Sequence, residues 1–162
     1  MSERPPERRQ LTVMFCDLVG STELAEALDP EDYASLLVRY RKLCARPIGR
    51  LGGVIANAFG DGLLIYFGYP NASDSAASNA LRAGLDIVAA VRAENTGDHA
   101  RDRPKLAVRI GIHTGVVVVA DALEDLSVEP MSIFGSAPSI AARLQAEAPP
   151  NGVVLSAATF RL

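Results

Sequence analysis

The sequence predicts an α+β fold, an α/β sandwich with helices packed on a mainly antiparallel sheet. Three observations carry the prediction. Apolar runs rich in β-branched residues empty into glycine-containing turns, as at Val13-Met-Phe-Cys-Asp-Leu-Val-Gly-Ser-Thr22 and Phe59-Gly-Asp-Gly-Leu-Leu-Ile-Tyr-Phe67. Two long segments instead space their apolar residues by three and four, the period of a helix. The resulting order is strand, helix, helix, strand, strand, helix, strand. With two connections reading as hairpins, it suits a ferredoxin-like sheet with helices on one face.

Residues 1–9 are charged and proline-containing and read as a flexible lead-in to a single domain over residues 10–162. Residues 10–16 turn continuously apolar and suit a central strand. A short helix follows over 22–28. Pro30 at a first-turn position, with Asp29 ahead of it as cap, opens a long helix through about residue 44. Its Tyr33, Leu36, Leu37, Tyr40 and Leu43 make a core face. Gly52-Gly53 ends that region, and strands over 54–58 and 63–67 meet across Gly60-Asp61-Gly62. Residues 70–74 turn into an alanine-rich amphipathic helix over 75–92, followed by a polar loop over 94–104. Residues 106–119 carry β-branched residues on both sides of Thr114-Gly115 and read as a hairpin. An acidic loop over 120–130 leads to a helix over 136–148 with Ile140 and Leu144 inward. Pro149-Pro-Asn-Gly152 then turns into a last strand over 153–156. No internal repeat interrupts this order.

A chain of 162 residues, 49% hydrophobic and 22% charged, has the composition of one globular domain with an ordinary core. A net charge of −3 supplies no basic field for nucleic acid. No apolar run approaches the roughly 20 residues that span a bilayer, so no membrane partner is expected. The N-terminus lacks the apolar core of a signal peptide, and a reducing cytoplasm is the expected location. Cys16 and Cys44 have no metal-ligand spacing and read as buried free thiols.

Asp17 and Asp61 carry the chemistry. Taken singly, one caps a helix and the other fills a turn. If their strands are neighbours, the two carboxylates share one edge of the sheet. Hard divalent cations take one or two carboxylates, with water and phosphate completing the shell. Two such ions clamp the attacking and leaving oxygens of a phosphoryl transfer.

Four motifs in this order resemble the class III adenylate and guanylate cyclase domain. They are Phe15-Cys-Asp-Leu-Val-Gly-Ser-Thr22, Gly60-Asp-Gly-Leu-Leu-Ile-Tyr-Phe-Gly68, Arg109-Ile-Gly-Ile-His-Thr-Gly115 and Ala141-Ala-Arg-Leu144. The resemblance runs from Arg9 to Leu162 and implies a ferredoxin-like core. It also implies a head-to-tail homodimer with sites at its interface. The implied reaction converts a nucleoside triphosphate, with ATP expected, into a 3′,5′-cyclic nucleotide and pyrophosphate. By this resemblance Asp17 and Asp61 hold two Mg²⁺ (or Mn²⁺) ions. Leu18, Val19, Gly20, Ser21 and Thr22 line the phosphates, with backbone N–H groups as donors. Arg109 matches an arginine that touches phosphate; its alternative is a solvated strand-end charge. Arg143 matches the arginine that stabilises charge on the α-phosphate from the other protomer; its alternative is a surface helix arginine. A guanidinium suits that task because it remains charged and forks onto phosphate oxygens. His113 reads as a maker of structural hydrogen bonds.

The departures are as informative. Where adenylate cyclases carry a base-reading lysine, this chain has Asn57. Its partner position is Ser132, and the ribose-orienting asparagine is replaced by Ser139. Asn57 and Ser132 can still hydrogen-bond a base but bring no charge. The guanylate cyclase pair of glutamate and cysteine is absent too. The family domain continues into a further hairpin beyond Val154-Leu-Ser156, so a larger polypeptide or an incomplete domain is expected. Gly60-Asp-Gly-Leu-Leu-Ile-Tyr-Phe-Gly-Tyr-Pro70, with Pro138 before Ser139, is similar to cyclase-like domains heading large bacterial ATPase regulators. A fused or partner regulatory ATPase domain follows from that likeness. Two functions stand: a weak cyclase, or a cyclase-like regulatory module that binds nucleotide or dimerises to control a partner.

Overall fold

The computed structural model describes residues 5–121 and 131–162. Its strands are β1 (Glu7–Leu18), β2 (Val54–Phe59), β3 (Gly62–Phe67), β4 (Val108–Asp121), β5 (Met131–Phe134) and β6 (Gly152–Leu155). Its helices are α1 (Ser21–Ala27), α2 (Pro30–Arg50), α3 (Ala76–Glu94), α4 (Ala137–Glu147) and α5 (Ala157–Phe160). The strands form one sheet in the order β2-β3-β1-β4-β5, with β6 parallel to β4 and every other pairing antiparallel.

β1 lies between β3 and β4, with Met14 opposite both Ile65 and Ile112. Its even positions Met14, Cys16 and Leu18 join Leu63, Ile65, Phe67, Ile110 and Ile112 in the larger core cluster. Leu36, Tyr40, Cys44 and Ile48 of α2 and Ala80, Ala83, Ile87 and Val91 of α3 close that face. Its odd positions Leu11 and Val13 pack with Tyr66, Val117 and Val119 beneath Ala137 and Ala141 of α4. Helices therefore cover both faces, not the single face expected from sequence. The alternation of a strand sends successive side chains to opposite sides, and both sides of β1 are apolar.

α4 lies directly on β4 because residue 111 is glycine. A Cβ there would collide with Ala141 O and Gln145 N of the helix backbone. Gly53 serves a similar purpose: its Cβ would sit 2.7 Å from the Phe67 ring and 2.8 Å from Ile48.

Several boundaries differ from the sequence reading. β1 starts at Glu7, because residues 7–9 pair with Val117, Val118 and Val119 although their side chains are charged. Thr114-Gly115 is no hairpin; β4 runs straight through it, pairing Thr114 with Thr12 and Gly115 with Leu11. Gly115 is not among the glycines with positive φ, which a tight hairpin turn would need. The Thr114 hydroxyl instead bonds Thr12 at 2.9 Å and Thr159 at 3.1 Å in the interior. On its other side β4 pairs antiparallel with β5, Ala120 standing opposite Ser132. Most of the expected acidic loop, residues 122–130, lies outside the described residues. α2 continues through Pro47 to Arg50, since Pro47 and Ile48 are buried and hold its last turn on the sheet. Among the described residues no helix is long and apolar enough to cross a membrane.

Candidate metal and nucleotide site

β1 ends at Leu18, and Gly20, at φ 69°, turns the chain straight into α1. The hairpin β2–β3 closes with Phe59 opposite Gly62, leaving Gly60 and Asp61 as its two turn residues. Cys16 stands opposite Leu63, so this turn lies beside Asp17 at one edge of the sheet. Arg109 is the register partner of Asp17 on the other side.

The carboxylates of Asp17 and Asp61 meet. The Asp17 carboxyl is raised to about 7 from an ordinary 3.8, by burial first and then by the hydrogen bond and negative charge of Asp61. The Leu18 N–H and the Arg109 charge oppose this and do not overcome it. Asp17 Oδ1 and Asp61 Oδ2 are both buried without a hydrogen-bond partner. Buried acceptors without donors are costly, and two adjacent carboxylates lack compensating charge. A hard divalent cation answers both deficits, so the donor set fits the expected Mg²⁺ or Mn²⁺. Among the described residues no group of three or more His, Cys, Asp or Glu side chains gathers for a metal. Among the described residues, the site offers two carboxylates.

Two amides of the segment expected to line phosphate are already engaged. The Val19 N–H already donates to Ala107 O at 2.9 Å, and the Leu18 N–H donates to Asp17. The remaining segment, Gly20, Ser21 and Thr22, forms the start of α1, which has no side-chain cap. First-turn amides of a helix without a cap are open donors. Arg109 is half-buried and its Nε has no partner.

Asn57 follows a β-bulge on β2 and stands opposite Leu64, on the sheet face carrying Leu11 and Val13. Its Oδ1 accepts the Ala58 N–H at 2.8 Å. That bond fixes which side-chain atom is oxygen, because an NH₂ cannot accept from an N–H. The free end of Asn57 is therefore a donor.

Ser139 and Arg143 are exposed, four residues apart on α4. Arg143 is not among the groups acting on Asp17, which are Asp61, Leu18 and Arg109. Ser132 is placed on β5, opposite Ala120. His113 bonds Ser156 Oγ at 2.8 Å, and burial lowers its pKa, as a structural histidine requires. Cys16 and Cys44 are buried free thiols, with the Tyr40 hydroxyl donating to Cys16 Sγ at 3.3 Å.

Two further residues of α2 act near the site: Tyr33, read from sequence only as core face, and Arg41, which the sequence reading did not single out. The Tyr33 pKa is raised by burial and then by the charges of Asp61 and Asp17, so the phenol lies within electrostatic reach of both. Arg41 donates to Gly60 O at 2.6 Å. Their eight-residue spacing puts both on one face of α2, a signal the sequence did carry.

Residues 4–162 match the family described as the adenylate and guanylate cyclase catalytic domain. The chain belongs to that family. Two relatives come from Rhizobium meliloti (strain 1021). An uncharacterised protein there is 39% identical over 162 residues, covering 99% of this chain and 15% of its own length. Adenylate cyclase 1 is 30% identical over 140 residues, covering 85% of this chain and 21% of its own length. This cyclase-family domain thus spans about a fifth or less of the length of these two relatives. The crystal structure of the adenylyl cyclase CyaB from P. aeruginosa superposes with a TM-score of 0.89 at 27% identity. That match covers 98% of this chain and 82% of the other, and confirms the α+β sheet with its helices. The family's description names both adenylate and guanylate cyclases, so membership leaves the base open.

Proposed function

We propose that this domain is a metal-dependent nucleotidyl cyclase that converts ATP into 3′,5′-cyclic AMP and pyrophosphate for cyclic-nucleotide signalling. The observation that carries the reading is the Asp17–Asp61 pair, with two buried carboxylate oxygens left without donors. Two bound divalent ions supply charge neutralisation at the triphosphate and lower the pKa of the ribose 3′-hydroxyl. In the reaction the 3′-oxygen forms a bond to the α-phosphorus and the bond to the β-phosphate oxygen breaks. Pyrophosphate leaves, and the hydroxyl proton passes to solvent.

The chain's own residues divide the remaining tasks. Gly20, Ser21 and Thr22 present the first turn of α1 to phosphate, and Arg109 adds a half-buried positive charge. Arg143 acts across a homodimer interface on the α-phosphate of the partner's site, and Ser139 orients the ribose there. Their exposure on α4 supports this role. Exposed Phe59, Val116 and Phe134 supply apolar surface for such an interface. A C₂ pair carries two equivalent sites.

Asn57 and Ser132 are the residues assigned to the base. With one lone pair of its oxygen taken by the Ala58 N–H, Asn57 keeps both N–H donors for the base. Adenine presents the ring nitrogen N1 as an acceptor, whereas guanine presents N1–H and N2–H₂ donors there. A donor placed at N1 favours ATP, whereas one placed at the 6-position also meets guanine O6. A regulatory module controlling a fused ATPase domain is the second reading, favoured by uncharged Asn57 and by relatives several times longer than this chain.

The test incubates the protein with each nucleoside triphosphate and Mn²⁺ or Mg²⁺ and measures cyclic products. Cyclic AMP that disappears in Asp61→Ala supports the cyclase. Nucleotide binding without product supports the module. Mixing inactive Asp17→Ala with inactive Arg143→Ala should restore about a quarter of the activity, since about half of randomly paired dimers hold one intact site of two.

A further inference from the structure

The Asp61 turn is flexible by composition. Gly60 sits at φ 60° and Gly62 follows, so the backbone carrying the carboxylate has little side-chain restraint of its own. The restraint comes from α2. Arg41 Nη2 donates to Gly60 O at 2.6 Å, a short charge-assisted bond across 19 residues of sequence. Gly60 O belongs to the same planar peptide unit as the Asp61 N–H and the bond leading to the Asp61 Cα. Gripping that oxygen therefore fixes the plane from which the Asp61 side chain departs. Arg41 itself is rooted beside Tyr40, which is fully buried in the α2 core face. Tyr33, eight residues earlier on α2, lies near enough to feel the charges of Asp61 and Asp17.

We infer that Arg41 is a positioning residue for Asp61, tethering the Gly60–Asp61 peptide to α2 so that the carboxylate is held against Asp17. The inference rests on the reading of Asp61 as a metal ligand. It assigns α2 a second task beyond closing the core. A change in the placement of α2 would be felt at Asp61 through one hydrogen bond.

Arg41→Met tests this, because methionine keeps an aliphatic stem but offers no donor. Arg41→Lys restores a cationic donor and serves as the conservative variant. A methylanthraniloyl-labelled, non-hydrolysable ATP analogue reports binding by fluorescence while Mn²⁺ is titrated. Arg41→Met should raise the Mn²⁺ concentration for half-maximal binding about tenfold, the usual effect of losing a group that orients a metal ligand. Arg41→Lys should stay within about threefold of the parent. Thermal unfolding in EDTA, with no metal to hold, should differ little among the three. An unchanged Mn²⁺ requirement in Arg41→Met overturns the inference, whether or not the melting temperature falls. So does a lowered requirement, which would mean that Arg41 acts only by repelling cations. Asp61→Ala separates the two levels. If it abolishes metal-dependent binding while Arg41→Met does nothing, only the tether is wrong. If it changes nothing, the metal reading falls and the tether with it.

Discussion

Asp17→Asn should stabilise the metal-free protein at alkaline pH, and the gain should grow as pH rises. In the folded chain the Asp17 carboxyl titrates at about 7, against an ordinary 3.8. The cause is burial first and Asp61 second. A folded-state pKa raised above the unfolded one means the native state holds the proton more tightly. Between those two values the native chain binds more protons than the unfolded chain, so raising the pH destabilises it. The difference approaches one proton at pH 5–6, falls to about half a proton at pH 7 and vanishes above about pH 8. One full proton corresponds to about 1.4 kcal/mol per pH unit, and partial solvent access makes the real slope smaller. Asparagine is nearly isosteric and does not ionise, so it removes this slope. The assay is thermal unfolding in EDTA from pH 5 to pH 9 for the parent and Asp17→Asn. The parent should lose stability relative to the variant up to about pH 8 and then run parallel to it. Saturating Mn²⁺ should reverse the order at pH 8, because the metal stabilises the ionised pair of the parent. Two parallel curves across the whole range would refute the crowding of the carboxylates on which the site is built.

Two further outcomes follow from local geometry. Asn57→Asp keeps an oxygen for the Ala58 N–H but turns the outward group from donor to acceptor, so nucleotide preference should move about tenfold from ATP towards GTP in competition binding. Gly111→Ala forces a Cβ into the backbone of α4 at Ala141 and Gln145, and denaturant unfolding should show a loss of about 3 kcal/mol or more.

Most of the sheet was legible because its signals are local. The Gly60-Asp61 turn announces a hairpin whatever surrounds it, and the apolar run at 11–16 marks a central strand. Where the sequence misled, the deciding contact was distant. Thr114-Gly115 has turn composition, yet the hydroxyls of Thr12 and Thr159 claim Thr114 for the interior of a long strand. The charged residues 7–9 form strand only because β4 extends far enough to pair with them. At the site, the two aspartates and Arg109 were found from motifs, and the structure brings all three together. Tyr33 and Arg41 were not assigned to it, since helix periodicity cannot say which turn of another element a side chain reaches. Nor could composition reveal that the Asn57 oxygen and the Val19 N–H are already engaged by the backbone.

The central claim is that Asp17 and Asp61 together hold the metals on which nucleotide binding depends. Crystals grown with Mn²⁺ and a non-hydrolysable ATP analogue, measured at the manganese absorption edge, test it without relying on turnover. The account predicts anomalous peaks between the two carboxylates and the triphosphate, lost in Asp61→Ala. Nucleotide bound with no manganese at these side chains, or manganese retained in Asp61→Ala, would contradict it.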